Sequence, residues 1–425
     1  MSTSRIIHLE EVFGISSDVP QYTYVDRQAL DQRFEHYLKG QKHVVLHGAS
    51  KQGKSCLRKK NLDPQHSVVV QCLPGMETAE DVWRASLEVM EKFEPSALTT
   101  TALKEQAVGT DAGVKGSIPL FAGVNADFSA ESKKSDSQEK SETPIKGSSY
   151  LPILATSLKK EGLRIIFEDF HYLPEETRKG VAFGLKALYE EGVFAIVVGI
   201  WSEQNLMTYY NGDLTGRMEE INLTWTNEDL AKVLSQGEGA LNIEFAPGLK
   251  AQLIDASFHN VGLLQRLAEK VCIEAGIYET RESKTIIADT DFLKKAEAQM
   301  VSDIRQRYTR IAEVFQEGLR TDSVLHVYAR IYNELIDASD NELLQGIPVA
   351  TILERMQRYA AIRQSDLTQC LERIERLQAQ RAITPLLVSY SKSVRKVFLN
   401  DREFLFYRKY SGDNPDDIKI NLSQK

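Results

Sequence analysis

The stretch His43-Val44-Val45-Leu46-His47-Gly48-Ala49-Ser50-Lys51-Gln52-Gly53-Lys54-Ser55 decides how the rest of this 425-residue chain is read. It carries the spacing G-x-x-x-x-G-K-[ST], entered from three apolar residues and continued by Cys56-Leu57-Arg58-Lys59-Lys60. That is a strand running into a glycine-rich loop that opens a helix, the setting a phosphate-binding P-loop requires. Gly48 and Gly53 permit the tight turns that aim successive N–H groups of Ala49, Ser50, Lys51, Gln52 and Cys56 into one anion-sized hollow. In such a loop Lys54 reaches the β- and γ-phosphates and the Ser55 hydroxyl binds Mg²⁺. The helix starting near Gly53 adds its positive end. The expected ligand is a nucleoside triphosphate, ATP with Mg²⁺.

Working outward, the length suggests two to three domains. A hydrophobic content of 42% with 26% charged residues is that of a soluble globular protein. The net charge of −8 means that any nucleic-acid binding rests on a local patch. The four cysteines, Cys56, Cys72, Cys272 and Cys370, form no C-x-x-C pair, so neither a disulfide framework nor a zinc site is expected. No apolar run approaches membrane-spanning length, and a cytoplasmic address is expected.

Before the loop, Tyr22-Thr-Tyr-Val-Asp-Arg27-Gln-Ala-Leu30 feeds a helical pattern through Phe34, Tyr37 and Leu38. After it, Ser67-Val-Val-Val-Gln-Cys72 reads as a buried strand and 79–93 as an amphipathic helix. Strand and helix alternate as in a parallel sheet with crossovers. Residues 96–149 break that rhythm. A partial period-2 pattern and a polar Ser/Lys/Glu tract suggest a β-hairpin inserted into the core, with a flexible tip. The sheet resumes with a helix over 150–160 and the strand Leu163-Arg-Ile-Ile-Phe-Glu168-Asp169. An apolar strand ending in two acids supplies what phosphoryl chemistry needs: Glu168 on the metal side, Asp169 as base for water. A helix over 175–190 and the apolar strand Val193-Phe-Ala-Ile-Val-Val-Gly199 follow.

From Thr226 the chain turns helical, with Thr226 and Asp229 spaced as an N-cap pair and further helices over 246–258 and 261–275. A long helix over 289–319 leads to three helices and a two-stranded ribbon, the pattern of a winged helix-turn-helix. Residues 320–411 hold 14 Lys and Arg against 11 Asp and Glu, which permits phosphate contacts without requiring them.

In this order, residues 22–410 resemble the AAA+/STAND ATPases of the origin-recognition-like branch, which bacteria use in DNA-linked and phage-defence systems. The resemblance implies an α/β fold: a P-loop NTPase parallel-sheet core (1–225, insertion 96–149), a helical lid (226–285), a helical linker (286–320), a C-terminal winged-helix domain (321–411) and a tail (412–425). It implies that Arg27 helps cover adenine, the alternative being a plain packing helix. Ser202 or Asn205 would sense the γ-phosphate. Arg217 would be an arginine finger toward a neighbouring subunit, or a local partner of Glu219 or Glu220. Arg266 would be a second sensor in the lid, or an exposed helix arginine. The Glu-Asp order at 168–169 departs from the family's usual acids, and no sensor arginine follows the fourth strand. Two functions follow. One is an ATP-hydrolysing switch coupled to DNA or a protein partner, with a homo-oligomer as a further expected partner; the other is a DNA-binding regulator or scaffold holding ATP without turnover.

Overall fold

A computed structural model describes residues 5–16, 18–90, 150–319, 326–412 and 415–422. The expected insertion at 96–149 lies outside them.

The core is a five-stranded parallel sheet: β1 (His43–His47), β2 (Ser67–Gln71), β3 (Arg164–Glu168), β4 (Ala195–Val198) and β5 (Met218–Asn222), in the order β2-β3-β4-β1-β5. β1 is buried throughout, as its run of apolar residues requires of a strand covered on both faces. It pairs with β4 through Val44–Ile196 and with β5 through Val45–Glu220. Helices Ala79–Val89, Tyr150–Glu161 and Glu175–Glu190 pack one apolar cluster on a face of this sheet, around Trp83, Phe167 and Leu185. Phe34, Leu46, Leu57 and Ile196 form a second cluster on the other face. Strand ends β1 and β3 therefore deliver Gly48 and Glu168 to one edge, where the order places neighbours from opposite directions of the chain.

Helices Asn227–Leu241, Pro247–Ala256 and Val261–Glu274 follow the sheet. The Thr226 hydroxyl caps the first by accepting from the Asp229 N–H, and the Asn260 side chain caps the third by accepting from Leu263. A feature the sequence reading lacks is a short parallel pair, β6 (Ile243–Phe245) with β7 (Thr285–Ile287). The lead-in helix Leu9–Val12 packs on this helical unit, with Leu9 donating to the Tyr278 carbonyl and Phe13 tilted against Phe245.

The helix Asp291–Glu317 then runs to a unit of helices Val327–Asp337, Val349–Gln357, Gln364–Glu372 and Ile374–Gln380, with β8 (Ile347–Pro348), β9 (Val388–Ser391) and β10 (Lys396–Leu399) in the antiparallel order β8-β10-β9. This is a winged-helix arrangement, closed by the helix Glu403–Tyr410. The helices Gln364–Glu372 and Ile374–Gln380 are broken from one another at Arg373, and Ile374 and Leu377 turn into the core beneath β9.

One apolar cluster runs unbroken from Leu230 and Leu264 through Met300 and Tyr308 to Tyr332 and Phe404. Lid, long helix and winged helix thus share a core, and that core is distinct from the two sheet clusters.

Candidate functional site

The loop after β1 has the backbone its glycines require. Gly48 sits at φ +134°, and a Cβ there would lie 2.7 Å from the Leu223 carbonyl oxygen, so only glycine fits. Gly53 is left-handed at φ +80° with open space where a Cβ would be, and Lys51 is also left-handed. Lys54 opens the helix Lys54–Asn61, whose first N–H groups have no intrahelical acceptor. Its ammonium is buried and donates to the carbonyls of Ala49 (2.6 Å) and Gly48 (3.1 Å). Burial pushes the Lys54 amine down to about 8, against the pull of Asp169 and Glu168.

A pH dependence follows from that value. Phosphate binding favours the charged amine, which the free loop loses above about pH 8. Affinity for ATP is expected to be flat below pH 8 and to fall by up to about tenfold per pH unit above it. Calorimetric titration across pH 7 to 10 checks this; a flat profile would remove Lys54 from the binding step.

The acids at the end of β3 are divided by their neighbours. Glu168 is buried; one oxygen takes the Arg58 Nε at 2.6 Å, and the other lies 3.4 Å from the Ser55 hydroxyl. Asp169 turns off the strand in a left-handed conformation and accepts from the Gln71 amide at 2.6 Å, so a residue at the end of β2 orients it. Ser55 and Glu168 together fit a hydrated Mg²⁺, and the Gly48 cradle with the Lys54 ammonium fits a phosphate group.

Arg27 lies over the Trp225 ring at 4.2 Å, and the Trp225 indole N–H donates to the Gln52 carbonyl. The Arg27 Nε and one Nη are buried and find no partner among the described residues. A nucleotide beside Cys56, itself half-buried in the first helical turn, would supply their acceptors.

Other candidates are placed elsewhere. Ser202 is half-buried in the loop after β4, and the Asn205 N–H donates to Glu220. Arg217 precedes β5 at the far end of the sheet, about 13 Å of strand away from its own P-loop. It pairs with neither Glu219 nor Glu220; its guanidinium donates to the Asp213 carbonyl and lies over Tyr189. Arg266 is neither exposed nor turned to the loop: it meets Glu403 of the winged helix, with Asp303 at 3.9 Å.

Glu403 belongs to a turn that motif spacing does not flag. The Asn400 carbonyl accepts from the Ser50 N–H at 2.9 Å, so the turn 400–403 is seated on the P-loop. Glu403, 2% exposed, takes Lys51 at 2.8 Å, Arg307 at 3.2 Å and Arg266. Asp401 takes Arg307 and the Tyr308 hydroxyl, and Arg402 donates to the His259 carbonyl. Burial alone would raise the Glu403 carboxyl, but Lys51, Arg266 and Arg307 hold it below the usual carboxylate range. From the other side the lid touches the same loop: the Asn260 amide donates to the Ser50 carbonyl and the Gly262 N–H to the Lys51 carbonyl.

Much of the winged helix's positive charge is also spent on the chain itself. Lys392 pairs with Glu175 and Arg381 with Glu317, while Glu375 of the helix Ile374–Gln380 holds Arg178 of the sheet core. Among the described residues no helix is long and apolar enough to cross a membrane.

No family model matches the chain, and no curated protein does. Solved structures do. The Walker-type ATPase of Pyrococcus abyssi is similar at a TM-score of 0.50 and 12% identity, over 94% of this chain and 99% of that one. The Aeropyrum pernix ORC1 protein, solved in complex with DNA, is similar at 0.40 and 12%, over 96% and 98%. A STAND protein of Pyrococcus horikoshii with a tetratricopeptide-repeat sensor is similar at 0.36 and 13%, over 96% of this chain and 45% of that one. With its P-loop on a five-stranded parallel sheet and a likeness to the first of these over nearly its whole length, the chain has the fold of a Walker-type P-loop ATPase.

Proposed function

We propose that this chain is an ATP-hydrolysing molecular switch in which the winged helix reports the state of the P-loop to DNA or to a protein partner. The observation that carries the reading is the turn 400–403 lying directly on Ser50 and Lys51. Any change in the loop is felt there at once. Because the sheet and the lid–linker–winged-helix unit have separate apolar cores, the seam between them crosses polar contacts such as Lys51–Glu403, Arg178–Glu375 and Lys392–Glu175. Such a seam suits rigid-body opening, since little apolar surface is exposed by it.

In this reading Lys54 exchanges the Ala49 and Gly48 carbonyls for phosphate oxygens, and Arg27 and Trp225 hold the nucleotide's other end. Mg²⁺, when bound, supplies charge neutralisation at the β- and γ-phosphates, with Ser55 and Glu168 as its protein side. Asp169, oriented by Gln71, accepts the proton of the attacking water. Opening would also free the helix Ile374–Gln380 and the ribbon of β9 and β10, whose inward pairing keeps them from a phosphate backbone in the closed form. Arg217, remote from its own P-loop, would act only on a neighbouring copy. A cytoplasmic, DNA-linked or defence role is compatible with this switch.

The second reading, an ATP-holding regulator without turnover, is favoured by one contact. Arg58 takes one oxygen of Glu168, leaves only the oxygen that faces Ser55 for a metal, and offsets part of the carboxylate's charge. The experiment that separates them is phosphate release by purified protein with and without duplex DNA, in wild type and Asp169→Asn. The switch reading expects Asp169→Asn to keep ATP binding and to lower turnover about a hundredfold or more. Equal turnover in the variant removes Asp169 as base; ATP retained by a wild type with no turnover leaves the regulator.

A further inference from the structure

We propose that Arg402, in the turn that follows β10, is a further phosphate-binding residue of the nucleotide site, supplied to the P-loop by the winged helix. This role rests on the reading of Gly48 to Ser55 as a triphosphate site. It makes closure of the two units depend on the charge of the ligand between them.

The turn sets Arg402 between two acids and pairs it with neither. Asp401 is taken by Arg307 and the Tyr308 hydroxyl, and Glu403 by Lys51, Arg266 and Arg307. The Arg402 side chain goes instead to the junction of lid and loop. Its Nη1 donates to the His259 carbonyl at 3.0 Å and to the Phe258 carbonyl at 3.4 Å. Phe258 and His259 are both left-handed, a conformation that such residues seldom adopt, and it is their carbonyls that face this junction. The same His259 oxygen accepts the Gln52 side-chain amide at 3.1 Å, so Arg402 and a P-loop residue share one acceptor. The charge of Arg402 is also felt at the Lys54 amine, the cation that the loop offers to phosphate.

A cation so placed calls for an anion. Arg402 is half-buried and has no carboxylate partner among the described residues, and burial pushes its guanidinium down to about 10. Carbonyl bonds position the group and leave its charge unmatched. The Nε and Nη2 atoms, which share one edge of the planar guanidinium, find no acceptor among the described residues, and both keep some contact with solvent. That edge is the fork that grips two oxygens of a phosphate. The lid's own Arg266 does not compete for the role, since Glu403 holds it. A phosphate chain lying between the Gly48 cradle and the lid would give Arg402 both acceptors and counter-charge. Bound nucleotide would then tie the turn to loop and lid, and departure of the phosphates would loosen it.

The test measures ATP binding to full-length protein by calorimetry, with thermal melts and limited proteolysis of the same samples. Arg402→Gln keeps an N–H donor and removes the charge. It is expected to lower ATP affinity about tenfold or more, as loss of a hydrogen bond to a charged group does. Arg402→Lys, which keeps the charge without the fork, should fall between Arg402→Gln and wild type, and it carries the test if the first variant does not fold. Without nucleotide, Arg402→Gln should melt no lower than wild type, because the change removes an unmatched cation. ATP should protect the winged helix of wild type from protease more than that of Arg402→Gln. Unchanged ATP affinity or equal protection in Arg402→Gln would overturn the assignment. So would a nucleotide-free variant that melts several degrees lower, since Arg402 would then serve docking alone. A wild type that binds no ATP would sink the triphosphate reading of the loop and this role with it, a failure distinct from any seen only in the variants.

Discussion

Lys54→Ala is expected to lower ATP affinity on the order of a hundredfold, about 3 kcal/mol, while leaving the fold intact. The Lys54 ammonium is the buried cation of the loop, held over the Gly48 cradle by the carbonyls of Ala49 and Gly48. Truncating one partner of a buried charge pair costs about 2–5 kcal/mol, because the phosphate would be left in a desolvated hollow with only N–H dipoles around it. In the free protein the change removes a charge whose burial already disfavours it, so the melting temperature should stay level or rise slightly. Titration with a fluorescent ATP analogue, alongside a thermal melt, tests both halves. Undiminished affinity would mean that triphosphate is not bound by this loop.

The second large effect is expected from Glu403→Lys. Three cations, Lys51, Arg266 and Arg307, converge on this buried carboxylate from the P-loop, the lid and the long helix. Removing the acid leaves them uncompensated, and a fourth cation adds repulsion; losses of about 3–5 kcal/mol accompany such breaks. The turn 400–403 should leave Ser50, the seam should open, and bound nucleotide should exchange about a hundredfold faster than in wild type. Small-angle scattering would show a larger radius, and proteases would reach the wing. Glu403→Gln should do the same more weakly. The sign with pH agrees: a carboxyl held below its usual range stabilises docking above that range and loses the contribution as pH falls through its lowered value. Wild type should therefore open in acid, and Glu403→Gln should show less of that dependence. Unchanged exchange and compactness in Glu403→Lys would show that the turn does not hold the loop.

The core strands, the loop and the first lid cap were legible because their signals are local. A buried run such as Val44–Leu46, the glycine spacing of 48–53, and Thr226 three residues before Asp229 report their backbone within a few positions. The break at Arg373 and the three-residue strands β6 and β7 were not, since each depends on what packs against it. The same holds within the site. Glycine and lysine types named the phosphate hollow, whereas Gln71, Arg58 and Trp225 enter it only because β2, the P-loop helix and the chain after β5 end at one edge of the sheet.

Sequence alone thus determined that this chain carries a P-loop, a strand ending in acids and a winged helix, because period and spacing are short-range properties of the backbone. The tertiary structure alone decided where charge is committed. Arg266 goes to Glu403 and not to the loop, Arg58 goes to Glu168, and Lys51 meets an acid 352 residues away in the chain. Ion pairs form between whichever faces the docked units bring together under a low dielectric, and no pattern within either partner's own neighbourhood encodes the other.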